Sequence, residues 1–154
     1  MKAQRGTVLG LIIALAGLSG LAACEAGLLS IETLSGEYNL IAAEDSSLPA
    51  TVQSSDTLVI EVMGGELLLL EIAQYSMAVD FRLSDPRAPD DTSTFRFVDV
   101  GPWAVTDQLV LLESTTPGRV WAGSVDGLAI NLVVAEPDFL EFPITLRFRR
   151  VTGS

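Results

Sequence analysis

The 154-residue chain has no histidine, a single lysine and a single cysteine. Without imidazole there is no ordinary general base at neutral pH and no nitrogen ligand for zinc or copper. One thiol excludes an intramolecular disulfide and any cysteine-rich metal cage. Nucleophilic catalysis needs a base beside its serine or cysteine, so an enzyme is not expected, and the metals left open are hard cations bound through oxygen. Positive charge is also scarce: nine Lys and Arg stand against twenty Asp and Glu, a formal net charge of −11. A nucleic acid partner needs clustered positive charge and is not expected. Long helical periodicity and solenoid repeats are missing as well. What the chain has in quantity is apolar residues, 49% of the total, too many for disorder, so the apolar and charged residues must be sorted onto different faces.

The N-terminus reads as an address. Lys2 and Arg5 precede an apolar run over residues 8–18, and Gly17, Ser19, Gly20, Ala22 and Ala23 supply the small residues of a processing site. A spanning anchor is the competing reading, but glycines thin the run and no basic flank follows it. Leu21-Ala22-Ala23-Cys24 resembles the lipobox of bacterial lipoproteins, which implies cleavage before Cys24 and acylation of that cysteine. The expected layout is a signal peptide over 1–23, a lipidated N-terminus and tether over 24–35, and a domain over 36–154. Losing Lys2 and Arg5 takes the net charge from −11 to −13. Glu25, where the best-known sorting signal for inner-membrane retention has Asp, implies the outer membrane. The resemblance calls for no cofactor beyond the covalent lipid on Cys24. Leu28, Leu29, Ile31 and Leu34 are spaced for one amphipathic helical turn packing on the domain.

From Gly36 onward the period is two, with turn chemistry every eight to twelve residues, the pattern of an all-β antiparallel meander of about eight to ten strands. Tyr38, Leu40 and Ala42 alternate in a first strand and Leu58, Ile60 and Val62 in a second. Gly64-Gly65 reads as a turn into 67–72, and Ala73-Gln74 as a two-residue loop into 75–83. That pairing points Leu68, Leu70 and Ile72 inward and leaves Val59, Leu67 and Leu69 outside, as ordinary surface or as a partner contact. Residues 84–93 read as a long loop whose Asp85, Asp90 and Asp91 lack calcium-loop spacing. Phe95 and Phe97 open a strand that Gly101-Pro102 bends into Trp103 and Val105. Asp126-Gly127 signals a hairpin that puts Trp121, Gly123, Val125, Leu128, Ile130 and Leu132 on one face. Leu140, Phe142, Ile144, Leu146 and Phe148 alternate in the last strand. The expected core is Tyr38, Leu40, Leu58, Ile60, Leu70, Val79, Phe81, Trp121, Ile130, Leu146 and Phe148.

Gly36-Glu37-Tyr38, Leu48-Pro49 and Leu146-Arg147-Phe148-Arg149-Arg150, behind a lipobox, resemble the small lipocalin-like lipoproteins of bacteria. The resemblance implies an up-and-down β-barrel closed where the last strand meets the first. An arginine near the end of the last strand covers the aromatic ring of the first in that family. Counting by twos from Leu146 and Phe148 puts Arg150 on the inner face, which assigns closure to Tyr38 and Arg150. Two functions remain open. In one, Tyr38, Phe81, Trp103, Trp121 and Phe148 line a cavity for a small apolar or lipid-like molecule. In the other, side chains fill the barrel and the protein is a non-catalytic envelope interaction, assembly or inhibitor module.

Overall fold

A strand that is apolar on one face and polar on the other must bury the first against something, and successive antiparallel strands bury theirs together by curling around one interior. A computed structural model describes residues 29–135 and 139–152 of the chain. The expected signal peptide, Cys24 and the first residues of the expected tether lie outside the described residues. The described chain begins with one helical turn, α1 (Ile31–Leu34), held by a capping box between Ser30 and Thr33. Ten strands follow: β1 (Gly36–Ala43), β2 (Ser46–Ser47), β3 (Ala50–Ser54), β4 (Val59–Leu70), β5 (Gln74–Asp85), β6 (Ala88–Thr106), β7 (Leu109–Glu113), β8 (Val120–Asp126), β9 (Ala129–Val134) and β10 (Ile144–Arg150).

From β4 to β10 each strand pairs with its neighbours in sequence, and β1 enters between β10 and β4 to close an eight-stranded antiparallel barrel. The short β2 and β3 are additions beside β1 and β4. The fold class expected from the periodicity is the one observed. At one end, here the near end, lie α1, the start of β1, the β4–β5, β6–β7 and β8–β9 turns and the end of β10. The β5–β6 turn and the β9–β10 connection lie at the far end.

Several strand readings need correction, and a change of parity explains most of them. Residues 59–70 form one strand, and Gly64-Gly65 does not turn it. Val62 pairs with Phe81 and Gly64 with Asp80, so Met63 is a bulge. One extra residue exchanges the two faces. Ile60 and Val62 point inward before the bulge, and Leu67 and Leu69 after it, each only 1% exposed. Leu70 is therefore not a core residue, and Ile72 stands at the tip of the β4–β5 turn. That turn has three residues, because Leu70 pairs with Gln74, and its last residue, Ala73, takes a left-handed φ of 57°. A bulge at Ile41 likewise puts Ala43 inside instead of Ala42.

The long loop expected at 84–93 is a hairpin: β5 runs to Asp85, Pro86-Arg87 turn, and β6 starts at Ala88. β6 continues through Gly101-Pro102 to Thr106. Pro102 is tolerated because pairing with β5 ends there and pairing with β7 begins at Trp103. In the β8–β9 hairpin Asp126 pairs with Ala129, so the loop is Gly127-Leu128 and Leu128 faces solvent. Gly127, at φ 59°, supplies the left-handed position. The last strand starts only at Ile144, after Pro143, and leaves Phe142 exposed. Leu58 is half-buried at the edge of the core; the other expected core residues apart from Leu70 are buried.

Candidate functional site

Alternation along β6 sends Phe95, Phe97, Asp99, Gly101 and Trp103 to the same inner side, and those positions define three zones of the interior. At the far end Phe81 and Phe95, register partners on β5 and β6, stack with ring centroids 5.1 Å apart. Phe139, from the connection before β10, meets both rings edge-on at 5.1 and 5.0 Å and lies 6.0 Å from Phe97. Trp121 on β8 meets Phe97 edge-on at 6.3 Å, and the Arg119 guanidinium sits 5.7 Å from the centroids of both. This cluster closes the mouth, and the Glu141 amide donates to the Gln53 side chain to fix the connection across it.

The middle zone is polar. Asp99 is 4% exposed, and three neutral groups donate to its carboxylate. Tyr75 donates through its hydroxyl at 2.6 Å and Trp121 through its indole at 2.5 Å, both to Oδ2; Ser114 donates at 2.5 Å to Oδ1. A carboxylate accepts only, so the donors match it without conflict. Burial first, then the hydrogen bond to Asp99 and its charge, push the Tyr75 hydroxyl pKa well above the ordinary tyrosine range; hydrogen bonds involving Ser114 and Trp121 partly offset the shift. Ser114 follows β7, whose last residue, Glu113, packs so closely on β6 that a Cβ on Gly101 would stand 1.9 Å from its carbonyl oxygen.

At the near end the Trp103 indole donates to the Leu70 carbonyl and the Tyr38 hydroxyl to that of Leu34. Tyr38 and Arg150 are register partners across the β1–β10 seam. The Arg150 guanidinium donates to the carbonyls of Thr33 and Ser35, passing over Gly36. Together they fasten α1 across the barrel end. Burial raises the Tyr38 hydroxyl pKa, and the charge of Arg150 offsets part of that.

The five aromatic and apolar residues expected to line a cavity are thus all interior but not in one place. Phe81 and Trp121 belong to the far-end cluster, Tyr38 and Trp103 to the near end, and Phe148 is fully buried in the core between β1 and β9. The outward patch expected from Val59, Leu67 and Leu69 does not exist, since Leu67 and Leu69 are core residues. Among the described residues no group of three or more acidic or thiol side chains gathers as a metal cage. A shallow cleft runs outside the barrel over the β1–β4 seam, where Glu37, Asn39, Glu66, Leu68 and Ser76 line it. Asp99 was missed from sequence, although its parity with Phe95, Phe97 and Trp103 marks it as inward-facing. Compared with known proteins, the chain matches no family model, no curated protein and no solved structure.

Proposed function

We propose that the chain is a lipid-anchored protein of the bacterial envelope, held through Cys24, whose barrel is a filled, non-catalytic scaffold acting through its outer surface. The observation that carries this reading is the interior. Met77, Val79, Val110, Leu112, Ile130, Leu132, Leu146 and Phe148 have no solvent exposure. Asp99 and its donors cross the middle, and α1 and Phe139 cover the two ends. An eight-stranded barrel is narrow enough for side chains alone to fill it. The outer wall gives such a scaffold something to present. Ala104, Leu111, Ala122 and Val133 are successive register partners across β6 to β9 and form an uncharged row. On the other side, Glu61–Arg82 and Glu66–Arg96–Asp80 are salt-bridged.

A second reading is favoured by one observation: Phe95, Phe97 and Phe139 are only half-buried at the mouth. A small apolar molecule displacing Phe139 would meet an aromatic floor. Titration of a fluorescent fatty acid into the purified full chain separates the two. The filled scaffold gives no saturable signal; stoichiometric binding that is weakened by Phe97→Ala would replace it with the second reading.

A further inference from the structure

The two ends of the barrel differ in chemistry. Turn tips ordinarily carry Gly, Asn, Asp, Ser or Pro, and the far end conforms, with Glu44-Asp45, Ser54 to Asp56, and Pro86-Arg87 followed by Asp90 and Asp91. The near end keeps Asp107 and Gly127 in its turns but adds aliphatic tips. Ile72, at the tip of the β4–β5 turn, is 75% exposed, and Leu128, at the tip of the β8–β9 turn, is 56% exposed. Leu109 beside the β6–β7 turn, Val151 just past β10 and Leu70 complete an aliphatic rim around that end. Among the described residues Phe142 and, at the start of β8, Val120 are the large apolar side chains exposed toward the far side. Backbone pairs hold the rim together: the Arg150 amide donates to the Leu128 carbonyl, the Val151 amide to Glu37 and the Trp103 amide to Ala73. The rim is rigid.

The same end receives the N-terminal segment. α1 is fastened there through Thr33, Leu34 and Ser35, and Leu29 and Ile31 pack against the core. Cys24 precedes Leu29 by five residues, a reach of at most about 18 Å at full extension. A twelve-residue strand such as β5 is roughly 40 Å long, so the far end stays out of reach of a surface that holds Cys24 unless the barrel lies flat.

We propose that the barrel stands end-on on the membrane that holds the Cys24 acyl chains, with Ile72, Leu128 and their aliphatic neighbours immersed in the headgroup boundary. This rests on the lipid-anchor reading above and adds an orientation to it. A covalent anchor alone leaves a domain free to tumble. A rim of aliphatic tips at the same end removes that freedom and keeps the mouth and the uncharged wall turned away from lipid. Glu71 and Asp107 lie beside the tips, Asp126 is paired with Arg147, and Arg149 is exposed near the end of β10, so the charges around the rim are mixed and zwitterionic headgroups suit this surface.

The test uses the full chain with its native modification, reconstituted into phosphatidylcholine vesicles. In acylated protein the Cys24 sulfur is blocked, so Ile72→Cys, Leu128→Cys and, as the far-end control, Arg87→Cys each carry one free thiol for an environment-sensitive dye. All three sites are exposed, and the substitutions leave the core untouched. Dyes at 72 and 128 are expected to shift their emission to the blue and to be quenched several-fold more than the dye at 87 by nitroxide-bearing lipid. Protein that floats with the vesicles while all three dyes report water overturns end-on docking and leaves the anchor standing. Protein that neither floats nor shifts its dyes overturns both.

Discussion

Asp99 occupies a position that β6 otherwise gives to aromatic and small residues, and its three donors make it a polar tie between β5, β6, β8 and the segment after β7. Replacing one acceptor oxygen with an amide sets an N–H₂ group against one of those donors. Asp99→Asn is expected to cost about 1–3 kcal/mol, since a buried polar group left unpaired loses roughly that much. Urea unfolding measures it, and a neutral result would mean that the node is not structural. The two tyrosines are the chain's full complement, and both have raised pKa values, chiefly through burial. In the unfolded chain they ionise near pH 10.0, while the folded chain keeps their protons, so above that pH unfolding releases protons. Stability is then intact below about pH 10 and falls above it, by up to about 1.4 kcal/mol per pH unit for each tyrosine. Unfolding midpoints measured across the alkaline range should show that decline, and Tyr75→Phe, which removes the strongly shifted group, should reduce its slope. The network itself was not visible without the fold: parity with Phe95 and Phe97 turns Asp99 inward, but which donors meet it depends on the register of β5, β6 and β8.

The antiparallel meander was legible, because period-two patterning and turn residues are local signals. The sequence pattern alone, however, splits one strand at Gly64-Gly65, reads the ends of β5 and β6 as a loop and does not show the short β2 and β3. Register across bulges was not legible. Met63 looks like an ordinary strand residue, and the Gly64-Gly65 pair after it imitates a turn. The structure gives Gly65 another role: a Cβ there would lie 2.6 Å from the Ala78 carbonyl oxygen and 3.2 Å from the Leu40 side chain. Gly65 is therefore an inward position left empty so that Leu40 can fill the space. A single unrecognised bulge moved Leu67 and Leu69 from the core to the surface in the sequence reading and moved Leu70 the other way. Gly101 does similar work between β6 and β7. Gly101→Ala forces a Cβ onto the Glu113 carbonyl and must push the end of β7 away, whereas Gly64 has open space around its Cβ position. Thermal unfolding should show Gly101→Ala destabilised by several kcal/mol and Gly64→Ala nearly unchanged. Equal effects at the two sites would contradict the close packing.

At the scale of the whole molecule, β1 holds the barrel shut. It pairs with β10 through Tyr38, Leu40 and their neighbours and with β4 through Gly36 to Asn39, so the first strand bonds on both edges. A closed meander was legible from the sequence, but the filling of its interior was not, since the same aromatic residues suit a cavity and a core. Their placement in separate zones, with Asp99 between, favours the core. The proposal joins that filled barrel to an anchor at Cys24, and native mass spectrometry of the protein purified from its own envelope reads both parts at once. The expected species is the chain from Cys24 to Ser154 carrying the mass of its acyl groups and no other bound molecule. An unmodified Cys24, or a small apolar molecule bound non-covalently in stoichiometric amount, would contradict the account.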